Sequence, residues 1–142
     1  MKQILFRGKR IDNGKWVEGY AFDDGMVDSK RMFVGKVVIA DYHGPGMEKY
    51  DLGIDFREVD PETVGMYSGL DDTDGKKIFE GDIVVNDLSR FHALSNKPHV
   101  VRFENGKFPY ITDKISSVVG YRPVKVIGNI YDNPEFRKEE LK

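Results

Sequence analysis

A mostly β fold is predicted by three observations. Asn13-Gly14, Asp74-Gly75 and Asn105-Gly106 are dipeptides that favour positive φ in tight turns, and each is followed by Lys and flanked by aromatic or β-branched residues. Fifteen glycines punctuate many short apolar runs at close spacing. Turn signals outnumber helix signals everywhere except in the tail.

Taken in order, residues 3–7 lead into the first turn and 16–22 leave it as a paired strand. Residues 32–40, Met-Phe-Val-Gly-Lys-Val-Val-Ile-Ala, form the next strand, with a bulge expected at Gly35. Residues 41–50 combine Gly44-Pro45-Gly46 with polar and aromatic side chains and read as an exposed loop. Residues 63–67 precede the second turn, 68–73 lengthen that connection, and 77–85 follow it. Residues 87–98 are a longer loop than a hairpin needs. Residues 99–103 and 107–111 flank the third turn, and Pro109 confines the latter to an edge or a short strand. Residues 124–131 read as a terminal strand. Asn133 can cap and Pro134 suits a first helical position, so 135–142 are expected to form a short C-terminal helix.

Within this order, Gly81 permits a sharp bend. Asp82 can accept backbone hydrogen bonds across it. Ile83, Val84 and Val85 then enter a core strand. The same Gly-Asp-Ile-Val entry is common in SH3-like barrels. The expected architecture is an N-terminal β-rich part, 1–58, packed on an SH3-like β-barrel part with its tail, 59–142, the two forming either separate parts or one compact unit.

The chain has 142 residues, enough to bury about 70% of its unfolded surface without staples. Nine Phe, seven Tyr and one Trp supply much of the apolar area. With no cysteine, disulfides, thiolate nucleophiles and Cys-based zinc sites are excluded. No apolar run approaches membrane-spanning length, and the first residues turn charged too early for a signal peptide. A soluble protein of the cytoplasm, away from the membrane, is expected. The net charge of −2 argues against a dedicated nucleic-acid binder. Its distribution is uneven: nine Lys/Arg against seven Asp/Glu in 1–50, three against ten in 51–82, and ten against seven in 83–142. Asp enrichment at turns is the simplest account of the acidic middle.

Asp71, Asp72, Asp74, Glu80 and Asp82 could gather hard-cation ligands, but their spacing is not that of a calcium loop, and solvated turn acids are the commoner reading. His43, His92 and His99 show no metal-ligand spacing, and no G-x-S-x-G elbow is present. Lys2, Arg7, Lys9, Arg10 and Lys15 lie near Phe6 and Trp16, the cation-and-aromatic recipe for single-strand binding. Alternation on a half-exposed hairpin, with Phe6 and Trp16 inward and the basic residues outward, explains the same pattern.

Read together, several segments resemble the YopX family of phage and prophage proteins. They are Ile4-Leu5-Phe6-Arg7-Gly8-Lys9-Arg10 with Asn13-Gly14-Lys15-Trp16-Val17-Glu18-Gly19, and Val59-Asp60-Pro61-Glu62-Thr63-Val64-Gly65-Met66-Tyr67-Ser68-Gly69-Leu70. The others are Asp74-Gly75-Lys76-Lys77-Ile78-Phe79-Glu80-Gly81-Asp82-Ile83-Val84 and Val126-Ile127-Gly128-Asn129-Ile130-Tyr131-Asp132-Asn133-Pro134-Glu135. Met66 stands where a polar residue, often Gln, is usual, and 21–57 and 86–124 match poorly. The resemblance implies a small, β-rich, oligomeric protein encoded by a phage or prophage, and it carries no catalytic residues.

The expected function is that of a non-enzymatic accessory protein, a self-associating module that also engages a host or phage macromolecule. No catalytic residue, metal or cofactor is assigned. The candidate interaction residues are Lys9, Arg10 and Trp16 on the first hairpin, Tyr42 and His43 in the first loop, and Arg90, Phe91 and His92 in the second. The alternatives are nucleic-acid binding through the basic hairpin with the Arg90-to-Lys97 loop, and a metal-dependent hydrolase using the acidic middle.

Overall fold

The computed structural model describes residues 4–28, 30–41, 50–88, 96–116 and 120–136. They form a mostly β protein in two compact units, Ile4–Val64 and Gly65 onward.

The first unit is an antiparallel meander of β1 (Phe6–Lys9), β2 (Trp16–Asp23), β3 (Met32–Asp41) and β4 (Tyr50–Val59), followed by a 3-10 turn at Pro61–Thr63. The β1–β2 connection is wider than a two-residue turn. It closes where the Arg10 N–H donates to the Lys15 carbonyl at 2.8 Å, with Asn13 Oδ1 accepting from the Lys15 N–H. The end of β4 returns to the end of β1: Val59 bridges Arg10, Ile11 N–H donates to Glu58 O at 3.0 Å, and Asp60 N–H donates to Lys9 O at 2.8 Å. Val34 and Val59, both fully buried, lie on the inner side of this curled sheet, and Val59 packs directly over Gly8. Thr63 fastens the corner, its hydroxyl accepting from Lys9 N–H and donating to Asp60 O.

Gly35 is not a bulge. Its pairing with Tyr20 on one side and Phe56 on the other is regular. It is glycine because a Cβ there would lie 2.0 Å from the Asp55 carbonyl oxygen and 2.6 Å from the Phe56 ring.

The second unit contains β5 (Gly65–Asp71), β6 (Lys77–Phe79), β7 (Asp82–Asn86), β8 (His99–Val100), β9 (Lys114–Ser116), β10 (Gly120–Tyr121) and β11 (Val124–Asn129). β5 pairs with β6, β9 with β10, and a three-stranded sheet runs in the order β11-β7-β8, all antiparallel. Among the described residues these strands close no barrel, which corrects the SH3-like expectation. The physical reason is the shortness of β8. It pairs with only Ile83 and Val84, and beyond it the Asn105-Gly106 turn supports a single bridge, Glu104 to Lys107, before Pro109 ends any ladder. That turn has positive φ at both central residues, 52° and 78°, as its sequence demands. The tail is helical at residues 135–136, and the rest of the expected helix lies outside the described residues.

The core of this unit is Ile78, Val84, Val101, Phe108, Ile111 and Val124, with Met66, Leu70, Tyr110 and Val126 packed against it. Burying each such side chain stabilises the unit by about 1.5–3 kcal/mol. The bend into β7 forms as its residues require: Gly81 sits at φ +92°, and Asp82 Oδ2 accepts the Phe79 N–H at 2.8 Å. Ile83 and Val84 then run fully buried.

Candidate functional site

On the first hairpin, Lys9 and Trp16 are direct cross-strand partners and share one face of the sheet. Arg7 Cζ lies 4.5 Å and Lys9 Nζ 5.7 Å from the centre of the Trp16 ring. The cations therefore cover the indole on its own side of the sheet, and Phe6, paired with Gly19, lies on the other, so Phe6 and Trp16 do not share an inward face away from the basic residues. Arg7 is itself buried. Arg10 grips Asp12 with two hydrogen bonds, Nε to Oδ1 at 2.9 Å and Nη2 to Oδ2 at 2.6 Å. That bonding raises the Arg10 pKa and lowers that of Asp12. Lys9, Arg10 and Trp16 thus lie together, engaged with one another's neighbours. Tyr42, His43, Arg90, Phe91 and His92 lie outside the described residues.

The same face of the first unit continues across β2, β3 and β4. Directly opposed residues share a face, so the rows Tyr20–Gly35–Phe56 and Phe22–Phe33–Glu58 stack on one side. Tyr20 is 55% exposed, Phe22 44% and Val37 49%, which makes this an open apolar surface. The Phe22 and Phe56 rings meet at 4.8 Å across the gap left by Gly35. Arg31 borders the patch, its Cζ 5.2 Å from the Phe33 ring and its guanidinium held by both Glu58 oxygens at 2.7 and 3.2 Å.

The acidic middle is occupied by structural work. Asp72 Oδ1 accepts from the N–H groups of Asp74 and Lys76, and its Oδ2 from that of Val126. Asp82 is 1% exposed and bonded to the Phe79 amide. Among the described residues no group of three or more His, Asp or Glu is placed to hold a metal.

The second unit assembles a cluster that the sequence does not announce. Tyr110 stacks on His99, ring centres 3.8 Å apart at 20°, and Arg122 Cζ lies 4.3 Å from the Tyr110 ring centre. Its hydroxyl donates to Oδ1 of the buried Asn86 at 3.0 Å, its N–H donates to Asp113 Oδ2 at 3.2 Å, and its carbonyl accepts from Arg122 Nε at 3.2 Å. β8 carries His99, the end of β7 carries Asn86, and the β10–β11 link carries Arg122.

Tyr110 is held at φ +75° between two core anchors, Phe108 and Ile111. Ile111 N–H donates across it to Pro109 O at 3.0 Å, a γ-turn of the rare positive-φ form. For a bulky side chain this backbone costs about 1–3 kcal/mol. Burial, reinforced by Lys97 and Arg122, lowers the His99 pKa, so the imidazole is neutral at pH 7. Burial raises the Tyr110 phenol against the opposing pull of Arg122 and the Asn86 bond. The result is a ladder of guanidinium, phenol and neutral imidazole, suited to stacking and charge recognition. His99 was singled out in the sequence only as a solitary histidine. Asn86, Tyr110 and Arg122 were not, and the Pro109-Tyr110 break in a strand-like run was their sole signal.

Among the described residues no helix is long and apolar enough to cross a membrane. The family model described as YopX protein matches residues 5–137. No curated protein matches the chain. Among solved structures, the chain is similar to the crystal structure of protein EF1440 from Enterococcus faecalis, with 25% identity over 96% of this chain and 99% of that one, at a TM-score of 0.58.

Proposed function

Because the chain belongs to the YopX family, we propose that it is a non-enzymatic phage or prophage accessory protein of the host cytoplasm, and that it self-associates through the aromatic face of β2, β3 and β4. The observation that carries this reading is the exposure of Tyr20, Phe22 and Val37 on one side of a single sheet. Interfaces between copies of one chain are richer in apolar area than ordinary surface, with aromatic residues enriched at their centres. The Arg31–Glu58 pair at the margin supplies the polar rim such an interface carries.

Basic-hairpin recognition of nucleic acid has less support, because Arg10 is paired with Asp12 and the Arg7 and Lys9 side chains lie over Trp16. Hydrolysis through a metal held by the acidic middle has less still, since the buried carboxylates there already accept backbone hydrogen bonds.

Sedimentation velocity of the wild-type chain and of a Tyr20→Ser/Phe22→Ser variant tests the reading. A wild-type oligomer that falls to monomer in the variant, with circular dichroism unchanged, is the expected result. A monomeric wild type, or an oligomer indifferent to the substitutions, overturns it.

A further inference from the structure

We propose that the His99–Tyr110–Arg122 stack is a binding site for single-stranded nucleic acid, one base lying on the outer face of the His99 imidazole and the adjoining phosphates drawn to Lys97 and Arg122. The site lies in the second unit and is independent of self-association through the first.

Four observations carry it. The ladder is fixed: the Tyr110 hydroxyl, amide and carbonyl are each bonded, to Asn86, Asp113 and Arg122. It is also strained, since a tyrosine at φ +75° persists only where its surroundings over-determine it, and such positions cluster at binding and active sites. Arg122 packs on the Tyr110 ring and His99 stacks on it, so the ladder extends next from His99. Among the described residues Tyr110 is the one ring that the half-buried His99 meets, and a further planar ring continues the series as bases do on aromatic platforms.

The fourth observation is charge. The charged groups acting on His99 among the described residues are Lys97 and Arg122, both cations. Two cations beside a neutral imidazole suit a ligand that brings a π face and negative charge together. The Asp113 carboxylate is turned to the Tyr110 backbone N–H.

Fluorescence anisotropy of a labelled oligothymidylate of about 12 nucleotides, with a duplex of equal length as comparison, tests the proposal on the full chain. The single strand is expected to bind in preference to the duplex, with affinity falling steeply as salt rises. His99→Ala is expected to weaken binding about tenfold, whereas His99→Phe, which keeps the stacking face, preserves it. Lys97→Glu, at an exposed position, is expected to weaken binding and to reduce the salt slope by about one. Circular dichroism and thermal unfolding establish that each variant is folded. Binding retained by Tyr20→Ser/Phe22→Ser separates this site from the self-association face. No binding of the single strand at low salt overturns the proposal. So does wild-type affinity in both His99→Ala and Lys97→Glu, or displacement by polyglutamate as effective as by unlabelled oligonucleotide.

Discussion

The Asp72 carboxylate accepts the backbone N–H of Val126 at 3.0 Å, across 54 residues of chain. Its other oxygen accepts from Asp74 and Lys76 at 2.9 and 2.8 Å, so one side chain organises the β5–β6 turn and docks it on β11. The Thr73 N–H to Val124 O bond at 3.0 Å completes the junction. Asp72 is only 8% exposed, so removing it leaves amides without partners or water. Asp72→Ala is expected to destabilise the protein by about 3–5 kcal/mol, read as a lower urea midpoint. Asp72→Asn, which keeps one acceptor oxygen, should lose less. The exposed Asp74, whose side chain has no comparable role, should tolerate Ala within about 0.5 kcal/mol. Equal costs at Asp72 and Asp74 would show that the carboxylate is not the organiser.

Gly81 offers a second test. Its φ of +92° excludes most side chains, and a Cβ there would meet the Tyr131 ring at 2.9 Å. The turn also links strands, with Gly81 N–H donating to Val101 O and Gly81 O accepting from Ile130 N–H. Gly81→Ala should therefore cost about 2–3 kcal/mol. The second variant Gly81→Ala/Tyr131→Ala removes the ring contact while keeping the strained φ. If the double variant is no less stable than Tyr131→Ala alone, backbone conformation is not the cause.

How far the sequence could be read is clear from particular positions. Asn105-Gly106 was legible because a two-residue turn with positive φ at both positions accepts few other residues. Gly81-Asp82 was legible for the same kind of reason, its bend and its acceptor being properties of those two residues. β4 has no counterpart among the strands expected from the sequence, yet Tyr50 to Phe56 alternates apolar and polar residues with the period of a strand. Barrel closure was misjudged because it depends on the partner of β8, and no local pattern encodes that. The Tyr110 cluster was illegible because nothing in the sequence marks a tyrosine for the left-handed region, and Asn86, His99 and Arg122 meet it only through tertiary packing.

Tyr67 and Asp71 give a spectroscopic prediction. The Tyr67 hydroxyl donates to Asp71 Oδ1 at 2.5 Å. Burial, then the Asp71 hydrogen bond and charge, push its pKa up to about 12. Because the folded value lies above the ordinary 10, the associated stability is fully present below pH 10 and is lost as pH rises towards 12. Phenolate absorbance should show one tyrosine titrating well after the ordinary ones, and Asp71→Asn should bring it back towards 10. A titration curve identical in the variant would sink this assignment.

His99 sets the pH response of the second unit at the acidic side. Its folded pKa lies below the ordinary 6.5 because of burial first, then Lys97 and Arg122. Above pH 6.5 the imidazole is neutral in folded and unfolded chains alike and contributes no pH dependence. As pH falls below 6.5 the unfolded chain takes up the proton first, so stability declines until the folded pKa is passed and then levels. His99→Gln removes the titrating group, and Lys97→Ala removes one of the two repelling cations. The difference in melting temperature between wild type and His99→Gln should therefore change in this window and stay constant above it, while Lys97→Ala should narrow the window. A difference that stays flat from pH 8 down to pH 5 would mean that His99 is protonated as readily in the folded chain as in the unfolded one, contradicting its half-buried place against Tyr110 with Lys97 and Arg122 acting on it.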